Sequence, residues 1–133
     1  MKTRGLYYAA AAATAVAGII HLAMGPSMLN FNPNGAILFF MGGAAQVFWV
    51  VPMIRRWGRV WYGVGIGGTI VLSAIWIIIR MPGNPITGRG FEANAMGIAV
   101  QALEWAFIGL AASILVLESR MKKLDKRAAT DAA

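Results

Sequence analysis

The sequence predicts an all-α membrane protein, a bundle of four transmembrane helices with both termini in the cytoplasm. Of its 133 residues, 59% are hydrophobic and 13% are charged, whereas a soluble domain carries about 25% charged residues. The apolar residues fall into four runs of about 20 residues, the length that crosses a bilayer as a helix. Lysines and arginines collect on alternate connections between these runs. The length predicts a single integral membrane domain, residues 1–133.

The first predicted span covers residues 6–24 and follows a basic start with Lys2 and Arg4. Such a start, before an Ala-rich run, is also typical of a secretory signal peptide. The run is too long for a signal-peptide core, and a second hydrophobic span follows almost at once. We therefore expect a membrane span, which Pro26 should end.

The second predicted span covers residues 35–54, after an uncharged outer loop at 25–34. Asn34 is a plausible N-cap for this helix. Pro52 should kink or end it, because proline lacks the backbone N–H that a helix needs.

The third and fourth predicted spans cover residues 60–79 and 95–117. A short basic loop at 55–59 precedes the third span, and an outer loop at 80–94, rich in Pro, Gly and Asn, precedes the fourth. The tail, 118–133, should extend the last helix briefly and then fray.

Ten of the twelve lysines and arginines lie at the N-terminus, in the 55–59 loop and in the tail. The other two, Arg80 and Arg89, lie in the 80–94 loop. The positive-inside rule therefore predicts a multi-pass protein of the cell membrane with cytoplasmic N- and C-termini. Because the positive charges flank apolar spans, they do not indicate nucleic-acid binding.

Composition excludes several classes of site. The chain has no cysteine, so disulfides, thiolate metal sites and thiol catalysis are excluded. His21 is the single histidine, so one chain cannot supply a bis-histidine haem or a histidine-cluster metal centre. No spacing signal joins a nucleophile to a base, and we expect a protein that is not an enzyme.

Glu104 is the most informative residue, because an acid in mid-span costs a few kcal/mol unless it is partnered. Helical rise places Thr69 and Thr14 at about the depth of Glu104 and Gln46 slightly deeper, with a second layer of His21, Ser73 and Gln101 nearer the outer face. The two layers could connect into one intramembrane polar network: Glu104, Gln101, Gln46, Thr69, Thr14, Ser73 and His21. Its functional interpretation is a proton path or small-molecule site, with Glu104 as carrier and His21 as outer relay. The structural interpretation, a hydrogen-bond network that fixes helix packing, is favoured.

His21 also has Met24 and Met28 nearby, and imidazole with thioethers is a ligand set that copper(I) accepts. Eight methionines occur in this apolar chain, so plain packing is the stronger interpretation. We predict no metal or cofactor site, with His21, Met24 and Met28 as the only candidates.

Glycines on the third span match G-x-G-x-x-G at residues 63–68. A dinucleotide site needs a preceding strand, and this match lies inside a span. The spacing of Gly63 and Gly67, and of Gly109 and Ser113, instead indicates close helix packing, within the chain or against a partner.

The 80–94 loop carries side chains that are candidates for docking to a partner. They are Arg80, Asn84, Arg89 and Glu92. Arg80 directly follows an apolar run, so snorkelling to lipid headgroups explains it equally well.

Four stretches, 50–58, 80–90, His21-Leu22 and 101–108, resemble a group of small four-span membrane proteins of ammonia-oxidising archaea. The run Pro-Gly-Asn-Pro-Ile-Thr-Gly-Arg in the outer loop is the most specific part. The resemblance covers roughly residues 17–117. Some small helical membrane proteins of these archaea are accessory subunits of the membrane copper ammonia monooxygenase, and the resemblance implies no catalytic residues.

We therefore expect a non-catalytic accessory subunit of a multi-subunit membrane complex. The resemblance implies that this complex is a copper-dependent ammonia monooxygenase. Its partners would be other integral membrane subunits and lipids, and copper would belong to those subunits. The alternative is a stand-alone carrier or proton- or metal-handling protein that uses Glu104, Gln101 and His21. The sequence leaves open whether lipid or quinone fills the grooves between the helices.

Overall fold

The computed structural model describes residues 2–133, with Lys2 described by its backbone alone. They form the helices α1 (Lys2–Met28), α2 (Pro33–Phe48), α3 (Val50–Ile54), α4 (Arg59–Ile78) and α5 (Ala95–Asp131), and no strand occurs among them. α2 and α3 together form one segment, so four helical segments are long and apolar enough to cross a membrane. This confirms the predicted all-α class with four apolar spans.

The connections α1–α2 and α4–α5 lie at the same end of the bundle, which we call the loop end. The Asn32 Nδ2 group donates to the Thr87 carbonyl at 2.8 Å, and the Asn34 Nδ2 group donates to the Ile86 carbonyl at 3.0 Å. The opposite end, called the terminal end, holds residues 55–58, the start of α1 and the last part of α5.

Asn32, and not Asn34, caps α2, so the predicted N-cap was wrong by two residues. The Asn32 side chain accepts a hydrogen bond from the Gly35 N–H at 3.0 Å, and Pro33 is the first helical residue. Proline suits this position because its φ is preset and its missing N–H would have no partner there. The cap therefore falls on the residue before the proline.

Pro26 does not end the first helix, which continues to Met28. Pro26 lies in the last turn, and the helix ends two residues after it. Pro52 does interrupt the second span: α2 ends at Phe48, four residues earlier, and α3 resumes at Val50. A proline ring clashes with the carbonyl four residues before it, which accounts for the break.

α5 does not fray after residue 117 but continues to Asp131. Alanine, leucine, lysine and arginine dominate this stretch, and no glycine or proline interrupts it. These residues have high helix propensity, which explains why the predicted fraying is not observed.

α1 packs against the second segment and α5, and α5 packs against α4. The closest approach uses Gly18 and Gly43: a Cβ atom at either one would lie 2.8 Å from the carbonyl oxygen of the other. Across the part of the chain that the structure describes, α2 and α4 are not a closely packed pair. This leaves a gap between them at the loop end.

Candidate functional site

Glu104 lies at the centre of the bundle, with 2% of its surface exposed. Its carboxyl group accepts three hydrogen bonds. Gln46 Nε2 donates to Oε1 at 2.8 Å, while Ser73 Oγ and Gln101 Nε2 donate to Oε2 at 3.1 and 2.9 Å. Because the donors come from α2, α4 and α5, one side chain joins three spans.

His21 connects α1 to the same network. Its Nδ1 atom lies 2.8 Å from Gln46 Oε1 and 3.0 Å from the Ala17 carbonyl oxygen. The carbonyl can only accept a hydrogen bond, so Nδ1 carries a proton and donates. The ring also packs at a tilt against Phe39, with 5.3 Å between ring centroids. All four long apolar segments therefore contribute to one hydrogen-bonded chain.

The structure brings together most, but not all, of the residues predicted for this network. Those in direct contact are Glu104, Gln101, Gln46, Ser73 and His21. Thr14 donates to the Gln46 main-chain carbonyl at 2.9 Å, so it holds that residue in place. Thr69 donates instead to the Gly65 carbonyl of its own helix at 2.8 Å.

The chemistry of this arrangement favours a structural role over the transfer of a proton. Each neighbour of Glu104 donates, which suits a carboxylate because an ionised carboxyl group only accepts. Gln46 stands between His21 and Glu104, donating through its nitrogen and accepting through its oxygen. A neutral amide of this kind relays a proton poorly, since it has no readily exchanged proton of its own. The network is thus well suited to fixing helix positions.

A cavity of about 280 Å³ opens beside the network at the loop end, in the gap between α2 and α4. His21 and Gln101 form its polar floor, and Trp76 and Arg80 lie near its mouth. The rest of the wall is mostly apolar, with Leu38, Phe39, Leu72, Ile75 and Val100 among the lining residues. The cavity therefore combines apolar walls with a few hydrogen-bonding groups, as small-molecule sites do.

The three copper candidates, His21, Met24 and Met28, all line this cavity. Met28 ends α1, and its methyl group packs against Gly35. The hydrogen bonds of His21 Nδ1 leave Nε2 as the nitrogen available to a ligand. Among residues 2–133, no group of three or more His, Cys, Asp or Glu side chains is arranged to hold a metal ion.

The four residues predicted for helix packing all lie on the outer surface: Gly63, Gly67, Gly109 and Ser113. A Cβ atom at any of the three glycines would meet nothing within 4 Å. The chain therefore does not use these positions to pack its own helices. It uses Gly18 and Gly43, which the sequence reasoning missed because neither has a glycine four residues away.

Asn84 has a structural role and is not available for docking. Its side chain is 5% exposed, and its Nδ2 group donates to the Met81 and Arg89 carbonyls at 2.9 and 3.1 Å. Its Oδ1 atom accepts from the Thr87 N–H at 2.8 Å. This side chain shapes the loop from within, whereas Arg89 and Glu92 are exposed.

Arg80 turns back onto its own helix. Its guanidinium carbon lies 3.5 Å from the centre of the Trp76 ring, and Nη1 donates to the Trp76 carbonyl at 2.9 Å. Burial lowers the pKa of Arg80 below its ordinary value, although an arginine stays charged in a protein.

A second polar cluster, at the terminal end, was not predicted. The Tyr7 hydroxyl donates to Glu118, and the Arg56 guanidinium lies 4.6 Å from the centre of the Tyr7 ring. Tyr62 packs edge-on against Tyr7 with 5.9 Å between ring centroids. The cluster ties α1 to α4, α5 and the 55–58 connection. No local spacing signal reveals it, because Tyr7 and Glu118 are 111 residues apart.

No protein-family model matches the chain, and no curated protein or solved structure shows a significant similarity to it.

Proposed function

We propose that this protein is a non-catalytic accessory subunit of a larger membrane complex. The observation that carries the proposal is the outer face of α4, where Gly63 and Gly67 are exposed and a Cβ atom at either would meet nothing within 4 Å. Two glycines spaced by four residues leave a shallow groove on a helix, which allows another backbone to come close. In this chain the groove has no helix against it.

The position of α4 in the bundle supports the same proposal. It packs mainly against α5, and its outward-facing side chains include Val60, Val64 and Val71, which are 77%, 54% and 57% exposed. Glycine lowers helix stability by roughly 1 kcal/mol relative to alanine. Because this pair of glycines packs against nothing within the chain, the lost helix stability is offset only if a partner helix packs in the groove.

The identity of the complex rests on the sequence resemblance to the small archaeal proteins. We propose the copper-dependent ammonia monooxygenase as the complex, with copper and catalysis in other subunits and both termini of this chain in the cytoplasm. The outer loop, with exposed Arg89 and Glu92, would then face extracytoplasmic parts of the partners. A cysteine-labelling test of residues 89 and 131 in sealed vesicles checks this orientation.

Gentle solubilisation of native membranes, followed by size separation and mass spectrometry, tests the association. We expect stoichiometric co-migration with monooxygenase subunits. The double substitution Gly63→Leu and Gly67→Leu should abolish co-migration while the isolated chain keeps its helicity. Gly68→Leu is the matched control: it is also exposed with nothing within 4 Å, but a helix turns by about 100° per residue, so it lies at the side of the groove. Migration of the wild-type chain alone, or as a homo-oligomer, would refute the proposal.

A second candidate function, a small carrier or proton-handling protein, is favoured by one observation: the cavity reaches the His21–Gln46–Glu104 chain. The amide of Gln46 argues against proton transfer along this chain. The two candidates predict opposite results for Glu104→Gln. A carrier should lose transport activity with this variant, whereas an accessory subunit should keep its complex assembled and active.

A further inference from the structure

The loop-end cavity holds a positive charge at the edge of an apolar space. Arg80 is half-buried and lines the mouth of the cavity together with Trp76. Its Nη1 atom is hydrogen-bonded to the Trp76 carbonyl, whereas the buried Arg80 Nε and Trp76 Nε1 atoms have no hydrogen-bond partner within residues 2–133. These two atoms are enclosed by the protein and cannot reach a ligand, but the partly desolvated charge of the guanidinium is costly unless an anion lies beside it.

Gly97 leaves space for the side chains of Arg80 and Trp76. A Cβ atom at Gly97 would lie 3.0 Å from Arg80 Nη2 and 3.3 Å from Trp76 Nε1. A side chain at position 97 would therefore require the guanidinium and the indole to shift by a few tenths of an ångström or more. Gly97 itself lines the cavity, so this small residue keeps the arginine beside the opening.

The deeper part of the cavity is apolar. Leu38 and Phe39 of α2 face Leu72 and Ile75 of α4 across it, and Val100 of α5 completes the wall. A cavity of about 280 Å³ lies just below the range of about 300–1,000 Å³ that is typical of small-ligand pockets. A single short chain fits this volume, whereas a whole two-chain lipid does not.

We propose that this cavity binds a single-chain amphiphile with an anionic head, of the class of a medium-chain carboxylate. The head pairs with Arg80, which can bond a carboxylate through two parallel N–H groups. The chain lies between α2 and α4 and ends above His21 and Gln101. Glu92, which is exposed at the rim, is screened by solvent and weakly opposes the anion. The proposal is independent of the accessory-subunit role.

Equilibrium binding of radiolabelled octanoate tests the proposal, with the full chain in nanodiscs of zwitterionic lipid and empty nanodiscs as the background. We expect saturable binding of one octanoate per chain. Arg80→Gln should weaken binding at least tenfold, because a charge-assisted hydrogen bond is lost and a tenfold change corresponds to about 1.4 kcal/mol. Octanol, which has the same chain without the charge, should likewise bind at least tenfold more weakly than octanoate.

Arg89→Gln is the matched control, since Arg89 is in the same loop but exposed and outside the cavity; it should leave the affinity unchanged. Leu38→Trp fills the apolar part without altering the charge and should also abolish binding. Glu92→Gln should leave binding unchanged or strengthen it.

The proposal is overturned if octanoate binds no better than to empty nanodiscs, or if octanol binds equally well. It is also overturned if Arg80→Gln and Arg89→Gln have equal effects while thermal unfolding shows both variants folded. A weaker affinity in Glu92→Gln would overturn it as well, because that result indicates a cationic ligand.

Discussion

Replacing Glu104 with leucine should destabilise the bundle by about 2–4 kcal/mol. The substitution removes the carboxyl group that accepts hydrogen bonds from three donors. Ser73 can turn and donate to a carbonyl of its own helix, and the half-buried Gln101 can turn its amide toward the cavity. Gln46 is 4% exposed and keeps an unpaired N–H, which costs about 1–3 kcal/mol. Interhelical hydrogen bonds in membranes average about 0.6 kcal/mol each, and the two from Gln46 and Ser73 supply the remainder.

The reference state matters for this estimate. Separated helices stay in the bilayer, so Glu104 is surrounded by lipid in the unfolded state and its desolvation cost largely cancels between the two states. Glu104→Gln keeps the shape but has only one acceptor oxygen, so we expect a smaller loss of about 1 kcal/mol.

Reversible unfolding in bicelles, followed by circular dichroism or steric trapping, measures these differences. Thr69→Val is the matched control: Thr69 is buried to a similar degree, but its hydroxyl bonds only to its own helix. We expect a loss of no more than about 0.5 kcal/mol for this variant. If Glu104→Leu were no more destabilising than Thr69→Val, the assignment of the network as a packing determinant would be refuted.

Three further substitutions test other parts of the structure. Gly18→Leu should destabilise the bundle by about 3 kcal/mol or more, because its Cβ atom alone would lie 2.8 Å from a backbone oxygen. Gly63→Leu should leave the stability of the isolated chain unchanged. Equal unfolding midpoints for the two variants would contradict the close packing of Gly18. Asn84→Ala should lower the free energy of local unfolding of the 80–94 loop by about 1–3 kcal/mol. Faster proteolysis of that loop, with the spans intact, would show this change. Tyr7→Phe should cost about 1 kcal/mol by removing the hydrogen bond to Glu118, and a double-mutant cycle with Glu118→Gln should show coupling between the two residues.

The spans were predictable because their signal is local. The third predicted span, 60–79, differs by one residue at each end from α4, since hydropathy and flanking arginines mark both ends. The cap of α2 was predictable in principle: two asparagines flank Pro33, and the preference of proline for the first helical position selects Asn32.

The residues that meet across helices were harder to predict. Helical depth placed Gln46 in the layer of Glu104 and Ser73 in a second layer nearer the outer face, and both side chains contact Glu104. Depth says nothing about rotation, so Thr69 was grouped with them although its hydroxyl faces its own helix. The same limit explains the glycines: a G-x-x-x-G spacing marks a groove, but only the tertiary arrangement decides whether a helix lies in it.

The unbroken course of α5 has a mechanical consequence. A helix of 37 residues is about 55 Å long, whereas the hydrocarbon layer of a bilayer is about 30 Å thick. The helix is thus about 25 Å longer than that layer, and residues 118–131, with their basic side chains, would project past it as a stiff rod. A stiff helix passes a tilt along its whole length, whereas a flexible tail does not. A small rotation of α5 around Glu104 therefore becomes a displacement of several ångströms at Asp131.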